Sequence, residues 1–104
     1  MLLNNHLKSL DKAAVRAAAL QLMEKNYTTT TLEVKQFLRS QNYWAIQATI
    51  SRWMGELAEE EDWYYETFSH HRNYFKNEVT ANYFINMTQE EMDYFLGHIK
   101  FSVN

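Results

Sequence analysis

The segment TLEVKQFLRSQNYWAIQATISRWMGEL, residues 31–57, contains two helical apolar patterns joined by a short turn. Thr30 and Glu33 have the spacing of a capping box, so a helix is predicted to begin near Leu32 and to end near Gln41. A turn over residues 42–44 follows, and a second helix is predicted from near Ile46 to about Glu60. The side chains predicted to point inward are Val34, Phe37, Leu38, Ile46, Ile50, Trp53 and Leu57.

The flanking regions predict a helix before this segment, then a hairpin and another helix after it. Residues 11–26 are rich in Ala and Leu, and Asp11 or Ser9 can cap them. One face of that helix is predicted to be buried, and a smaller apolar face carries Ala13, Ala17 and Leu20.

Two aromatic runs, WYYETF at 63–68 and RNYF at 72–75, predict a β-hairpin. Its connector lacks glycine, which favours a loop of roughly three to five residues over a tight turn. Thr88 and Glu91 again have capping-box spacing and predict a C-terminal helix over about 89–100, with Met92, Leu96 and Ile99 on one side.

This order of elements defines the expected fold class. Three helices followed by a hairpin is the order of a winged helix-turn-helix, so we expect a mainly α protein with a small β-hairpin and an added C-terminal helix. The chain of 104 residues is predicted to form a single domain (1–104), with the winged helix-turn-helix over 10–77 and a C-terminal extension over 78–104.

Composition argues against several classes of protein. There is no cysteine, hence no disulfide or thiolate metal site, and no apolar run approaches membrane-spanning length. The first residues, MLLNNHLKSLDK, lack the pattern of a signal peptide, so a cytoplasmic location is expected. Because no glycine-rich phosphate loop, G-x-S-x-G, H-E-x-x-H or cysteine nucleophile occurs, we predict neither an enzyme nor a cofactor.

Charge is divided unevenly along the chain. The formal net charge is -3, but residues 1–55 contain seven Lys or Arg and three acids, whereas residues 56–104 contain three Lys or Arg and ten acids. The half that holds the two central helices is therefore basic. Because attraction to phosphate depends on the local field, the acidic total does not exclude a nucleic acid partner.

The run QATISR at 47–52 resembles the N-terminal DNA-binding domain of arginine repressors, where a Q-x-x-(V/I)-S-R run opens the recognition helix. The similarity extends over about 20–76, and WYYETFSHHRNYF is similar to the wing of that family. The resemblance implies that Gln47, Ser51 and Arg52 face DNA. Two departures are evident: the 104 residues contain no counterpart of the arginine-binding effector domain, and the acidic run at 59–62 ends the third helix.

The residue types on the third helix suit base recognition. A Gln can bond adenine and an Arg can bond guanine through two hydrogen bonds, while Thr and Ser suit phosphates or base edges. Lys and Arg on the second helix suit phosphates, and His or Arg at a wing tip suits a narrow minor groove. The predicted DNA-binding residues are Gln47, Thr49, Ser51, Arg52, Lys35, Arg39, His70, His71 and Arg72. For each of them an ordinary solvated position is the alternative, and the two adjacent histidines lack further ligands at metal-site spacing.

The leading hypothesis is a transcriptional regulator that reads double-stranded DNA with the third helix and the wing. A homodimer through the C-terminal helix and the Ala13, Ala17 and Leu20 face is expected, because symmetric pairing is the usual way for a small module to gain affinity. The alternative is a protein-interaction module whose acidic hairpin and tail dock a basic partner such as a nucleic-acid enzyme. No membrane partner is expected.

Overall fold

The protein is mainly α-helical, with one antiparallel hairpin between the third helix and a long C-terminal helix. The computed structural model describes the backbone of residues 7–103 and the side chains of residues 7–91. Its elements are α1 (Lys12–Asn26), α2 (Thr31–Ser40), α3 (Gln47–Glu60), β1 (Tyr64–Phe68), β2 (His71–Phe75) and α4 (Glu78–Val103). The expected fold class is confirmed, and the arrangement is compatible with a winged helix-turn-helix. No described helix is both long and apolar enough to traverse a bilayer.

The first three helices form the core, and their starts follow the predicted caps. The Asp11 carboxylate accepts a hydrogen bond from the Ala14 N–H, and Thr30 and Glu33 form the complete capping box. The capping bonds satisfy backbone donors that have no partner within the helix. The core contains Val15, Ala18, Ala19, Met23, Val34, Leu38, Ile50, Met54 and Leu57.

Three details of the predicted core differ in the structure. Ile46 was predicted to point inward but is exposed, because it is the N-cap residue of α3 and lies outside its helical repeat. Met54 and Ala58 occupy the buried stripe instead. Leu20, predicted on a separate outer face of α1, packs against the core, whereas Ala13 and Ala17 are exposed.

The hairpin turn is tighter than predicted. Phe68 pairs with His71, so only two residues, Ser69 and His70, connect the strands, and the expected loop of three to five residues is wrong. Ser69 supplies the left-handed backbone that such a turn needs, with φ 52°. The hairpin is joined to the helices by Thr29, which is fully buried and forms two backbone hydrogen bonds with Tyr74.

The C-terminal helix begins well before the predicted start near residue 89. Asn77 caps it, accepting a hydrogen bond from the Thr80 N–H at 2.8 Å. Thr88 was predicted as the cap but lies within the helix, where its hydroxyl donates to the Phe84 carbonyl at 2.8 Å. The first turns of α4 pack on the hairpin through Phe84, whose ring centroid is 5.8 Å from that of Phe75. Met92, Leu96 and Ile99 lie outside the residues whose side chains are described.

Candidate nucleic-acid interface

An open cleft of about 1020 Å³ lies between the start of α2, one face of α3 and the hairpin. The capping box places the start of α2 at one wall, and the Thr29–Tyr74 bridge sets the hairpin opposite it. The side chains that line the cleft include Thr30, Thr31, Gln36, Gln47, Ser51, Arg52, Thr67, His70, His71 and Arg72. Polar and cationic groups from three elements therefore converge on one surface.

The face of α3 toward the cleft carries most of the predicted residues of that helix. Gln47 and Ser51 are exposed, and the Arg52 side chain retains 65% of its accessible surface. The cleft lining does not include Thr49, which lies half-buried toward another side of α3. Gln47 and Ser51 are four residues apart and share a face of the helix, whereas Thr49 is two residues from each and points to the opposite side.

The two cations predicted on α2 are occupied within the chain. The Lys35 ammonium donates to the Gln47 side-chain oxygen at 3.1 Å, which links α2 to the start of α3 at the edge of the cleft. The Arg39 guanidinium donates to the Ala45 carbonyl at 3.1 Å and thereby fixes the turn between these helices. Neither Lys35 nor Arg39 lines the cleft.

Acids of α3 and its C-cap pair with α1, and one of them, Glu56, also lies 4.0 Å from the Nε atom of Arg52. The Lys12 ammonium lies 2.9 Å from a Glu56 oxygen and 2.6 Å from a Glu60 oxygen, and Arg16 lies 3.0 Å from Glu61. Hydrogen bonds to Glu60 and Glu56 raise the pKa of Lys12, and the bond from Lys12 lowers the pKa of Glu56. Three acids near the end of α3 are therefore engaged by α1.

One acid lines the cleft among the described residues, and its carboxylate is also engaged. A Glu33 oxygen accepts hydrogen bonds from the Thr30 N–H at 3.3 Å and from the Thr29 hydroxyl at 3.2 Å. The cleft therefore combines two arginines, Arg52 and Arg72, with one carboxylate that is turned to its own helix start. This balance favours an anionic ligand.

Arg72 makes a closer cation–π contact than Arg52, whose guanidinium lies 5.8 Å from the centroid of the Trp53 ring. The Arg72 guanidinium lies 4.2 Å from the centroid of the Tyr65 ring, a cation–π distance. A side-chain hydrogen bond to Tyr74 raises the pKa of Arg72. On the other side lies α3, where a Cβ added at Gly55 would meet the Arg72 Nη1 atom at 4.0 Å.

The hairpin tip presents His70 and His71 to solvent beside Arg72. Both histidines line the cleft and are exposed, as the sequence predicted for a wing tip. Phe68 pairs with His71 across the strands and is also exposed. The tip thus offers two imidazoles to whatever approaches the cleft, whereas Phe68 does not line it.

Sequence reasoning missed the α2 wall and the residues that hold Arg72. Thr31 and Gln36 were not predicted to contribute, although the capping box marks where α2 begins and hence which residues lie at its exposed start. Tyr65 and Tyr74 were considered only as packing residues. The alternation of side chains along the strands places Tyr65, Tyr74 and Arg72 on one face once the hairpin register is known.

Comparisons of the chain with protein-family models, with curated proteins and with solved structures give no match in any of the three.

Proposed function

We propose that this protein binds double-stranded DNA and acts as a transcriptional regulator, with α3 in the major groove and the hairpin as a wing beside it. The supporting observation is the cleft, in which the start of α2, the polar face of α3 and the hairpin tip share one surface. A helix with an exposed polar face fits the width of the major groove, and side chains near its start reach base edges.

The separation of charges supports this proposal over the acidic-docking alternative. Glu56, Glu60 and Glu61 are paired with α1, so much of the acidic cluster that would attract a basic partner is already engaged. Arg52 and Arg72 remain at the cleft. The Arg52 Nε atom lies 4.0 Å from a Glu56 oxygen, and Glu33 is the one acid among the described residues that line the cleft. The lining therefore holds more cations than acids and suits phosphates.

Residue roles follow from position and chemistry. Arg52 is long and exposed enough to bond a guanine edge. Gln47 suits adenine once its side-chain oxygen no longer accepts the hydrogen bond from the Lys35 ammonium. Lys35, released from Gln47, would then contact a neighbouring phosphate. Ser51 suits a phosphate or base edge, and His70 and His71 suit the backbone or the minor groove.

The decisive experiment is selection from random duplexes at low and moderate salt, followed by mobility shifts with the selected sequence. Arg52→Ala should weaken binding by about tenfold to a hundredfold and relax the base preference at one position. Lys25→Ala, which removes the same charge from the last turn of α1, is the matched control and should have little effect. Absence of a shift on any duplex at low salt would overturn the proposal and leave the protein-partner alternative.

We also propose that the protein binds DNA as a homodimer. Ala13 and Ala17 on α1 are exposed, and so are Val79 and Tyr83 in the first turns of α4. Two copies related by a twofold axis would read two half-sites about one helical turn apart. Light scattering of the protein with and without the selected duplex tests this. A 1:1 complex on a site without symmetry would contradict the dimer.

A further inference from the structure

Arg72 differs from Arg52 in how it is restrained. Arg52 has 65% of its side chain exposed, with its Nε atom 4.0 Å from a Glu56 oxygen and its guanidinium 5.8 Å from the centroid of the Trp53 ring. Arg72 stacks on the Tyr65 ring at 4.2 Å from its centroid, and the nearby Tyr74 hydroxyl raises the pKa of Arg72. Long cationic side chains normally lose rotamer freedom when they bind a ligand, and a side chain already fixed by its neighbours loses less.

Arg72 also lies between two elements, the hairpin and α3. It lies on the inner face of the hairpin, and its Nη1 atom is 4.0 Å from the place where a Cβ of Gly55 would stand. No side chain of α3 therefore separates the guanidinium from the backbone at position 55. The guanidinium lines the cleft where α3 and the hairpin approach each other.

The shape of a DNA duplex determines which group would approach Arg72 in the cleft. The major and minor grooves of B-DNA are adjacent and are separated by one sugar–phosphate backbone. If α3 occupies the major groove and the wing lies over the neighbouring minor groove, that backbone must run through the cleft between them. The DNA group nearest Arg72 is then a phosphate and not a base edge.

We infer that Arg72 is a preorganised phosphate-binding residue, positioned by Tyr65 and Tyr74, and that Gly55 keeps the approach to it open; this inference rests on the proposed DNA binding. A guanidinium has five N–H donors, so contact with Tyr74 leaves others for phosphate oxygens. Arg72 thus fixes the register of the protein on the backbone, whereas Arg52 reads sequence.

The charges around Arg72 agree with this role. Among the described side chains, none of the ion pairs within 4.0 Å involves Arg72. Arg72 also borders a smaller cavity of about 380 Å³ that Glu59 and Asp62 line. In the main cleft the one acid among the described residues is Glu33, whose carboxylate bonds to Thr29 and Thr30.

The first test compares the salt dependence of duplex binding for four variants. Arg72→Ala should lower affinity roughly tenfold at moderate salt and reduce the slope of log K against log salt by about one unit, because one phosphate contact is lost. Tyr65→Leu keeps the charge but loses the ring, so affinity should fall while the slope stays as in the wild type. Tyr65→Phe should restore the affinity. Lys76→Ala, a control on the residue after β2 that pairs with Glu24, should leave both quantities unchanged.

The second test uses Gly55. Alanine and glutamate are both better helix formers than glycine, so Gly55→Ala and Gly55→Glu should both fold, as circular dichroism and thermal unfolding will verify. Gly55→Ala should retain binding. Gly55→Glu places a carboxylate beside the guanidinium and should lower affinity at least tenfold, with a much smaller further loss when combined with Arg72→Ala.

The outcomes separate this inference from the proposed function. If the wild type binds duplex DNA and Arg52→Ala relaxes base preference, but Arg72→Ala keeps the wild-type salt slope, Arg72 is not a phosphate ligand and only this inference is wrong. If Gly55→Glu lowers duplex affinity by the same factor in the wild type and in Arg72→Ala, the carboxylate acts on the whole cleft. The proposed role of Arg72 is then also refuted. If the wild type binds no duplex at low salt, the proposed function itself fails.

Discussion

Gly55 lies within α3 at a position where the backbone does not require glycine, so Gly55→Ala should stabilise the protein. It is the ninth residue of the 14-residue α3, and its φ is not positive. A new methyl group would meet the Arg72 guanidinium at 4.0 Å, which is ordinary van der Waals contact. Glycine in a helix interior costs about 1 kcal/mol relative to alanine, and nothing at this position offsets the gain.

The expected change is an increase of about 1 kcal/mol in the free energy of unfolding, which corresponds to roughly 4–8 °C in Tm for a domain of this size. Urea unfolding followed by circular dichroism measures it. Gly55→Ser should give a smaller gain, because serine has a lower helix propensity. Gly55→Val should lose the gain, since its branched carbons reach toward Arg72. A Gly55→Ala protein that unfolds at the same or a lower urea concentration would refute the assigned helical backbone or the space beside Arg72.

Three further changes probe the capping, the core and the charge pairs. Thr30→Ala removes one half of the capping box and should cost about 0.5–2 kcal/mol in urea unfolding; no measurable loss would mean that the box is unimportant. Met54→Ala removes a fully buried side chain and should cost roughly 2–5 kcal/mol, whereas a loss below about 1 kcal/mol would place Met54 outside the core. The Lys12 ammonium holds the pKa of Glu56 below its ordinary 4.5, so this pair stabilises the fold above that pH and its contribution disappears as pH falls through the lowered pKa. Glu56→Gln should therefore flatten the acid limb of Tm against pH, and an unchanged acid limb would contradict the pairing.

Local side-chain signals predicted α1 to α3 well but placed the start of α4 more than ten residues too late. Thr88 and Glu91 match a capping box by spacing, yet a threonine within a helix can also bond the carbonyl four residues before it, and Thr88 does so. The real cap, Asn77, directly follows the aromatic strand β2. A threonine hydroxyl finds a hydrogen-bond partner both as a helix cap and within a helix. Sequence spacing therefore cannot distinguish the two positions.

The hairpin turn shows how tertiary contacts override a local rule. A two-residue connection normally calls for glycine or asparagine at positive φ, and the segment has neither in its turn. Ser69 adopts φ 52° although a left-handed backbone disfavours residues with a side chain. The register is set elsewhere, by the paired strands and by the two hydrogen bonds between Thr29 and Tyr74. Those contacts are 45 residues apart in sequence and are invisible to a local pattern.

The sequence predicted which residues of a single helix or strand contribute to the candidate site, but not the contacts between different elements. The resemblance at 47–52 selected Gln47, Ser51 and Arg52, and the hairpin prediction placed His70, His71 and Arg72 at its tip. The pairing of α1 with the acids of α3 joins positions about 45 residues apart, so the sequence showed an acidic run but not its neutralisation. Likewise, the stacking of Arg72 on Tyr65 depends on the strand register.

The partition of charge explains how an acidic chain could bind the proposed anionic ligand. Charges interact over about 8 Å at physiological ionic strength, so a phosphate in the cleft responds to the groups that line it and little to the total of -3. Those groups are Arg52 and Arg72, with Glu33 bound to its own helix start. Lys12 and Arg16 add little attraction, because each is matched by an acid. The same pairing that makes these two cations poor phosphate ligands engages Glu60 and Glu61, two of the four acids of the run at 59–62. This exchange within the chain leaves more cations than acids at the cleft of an acidic protein.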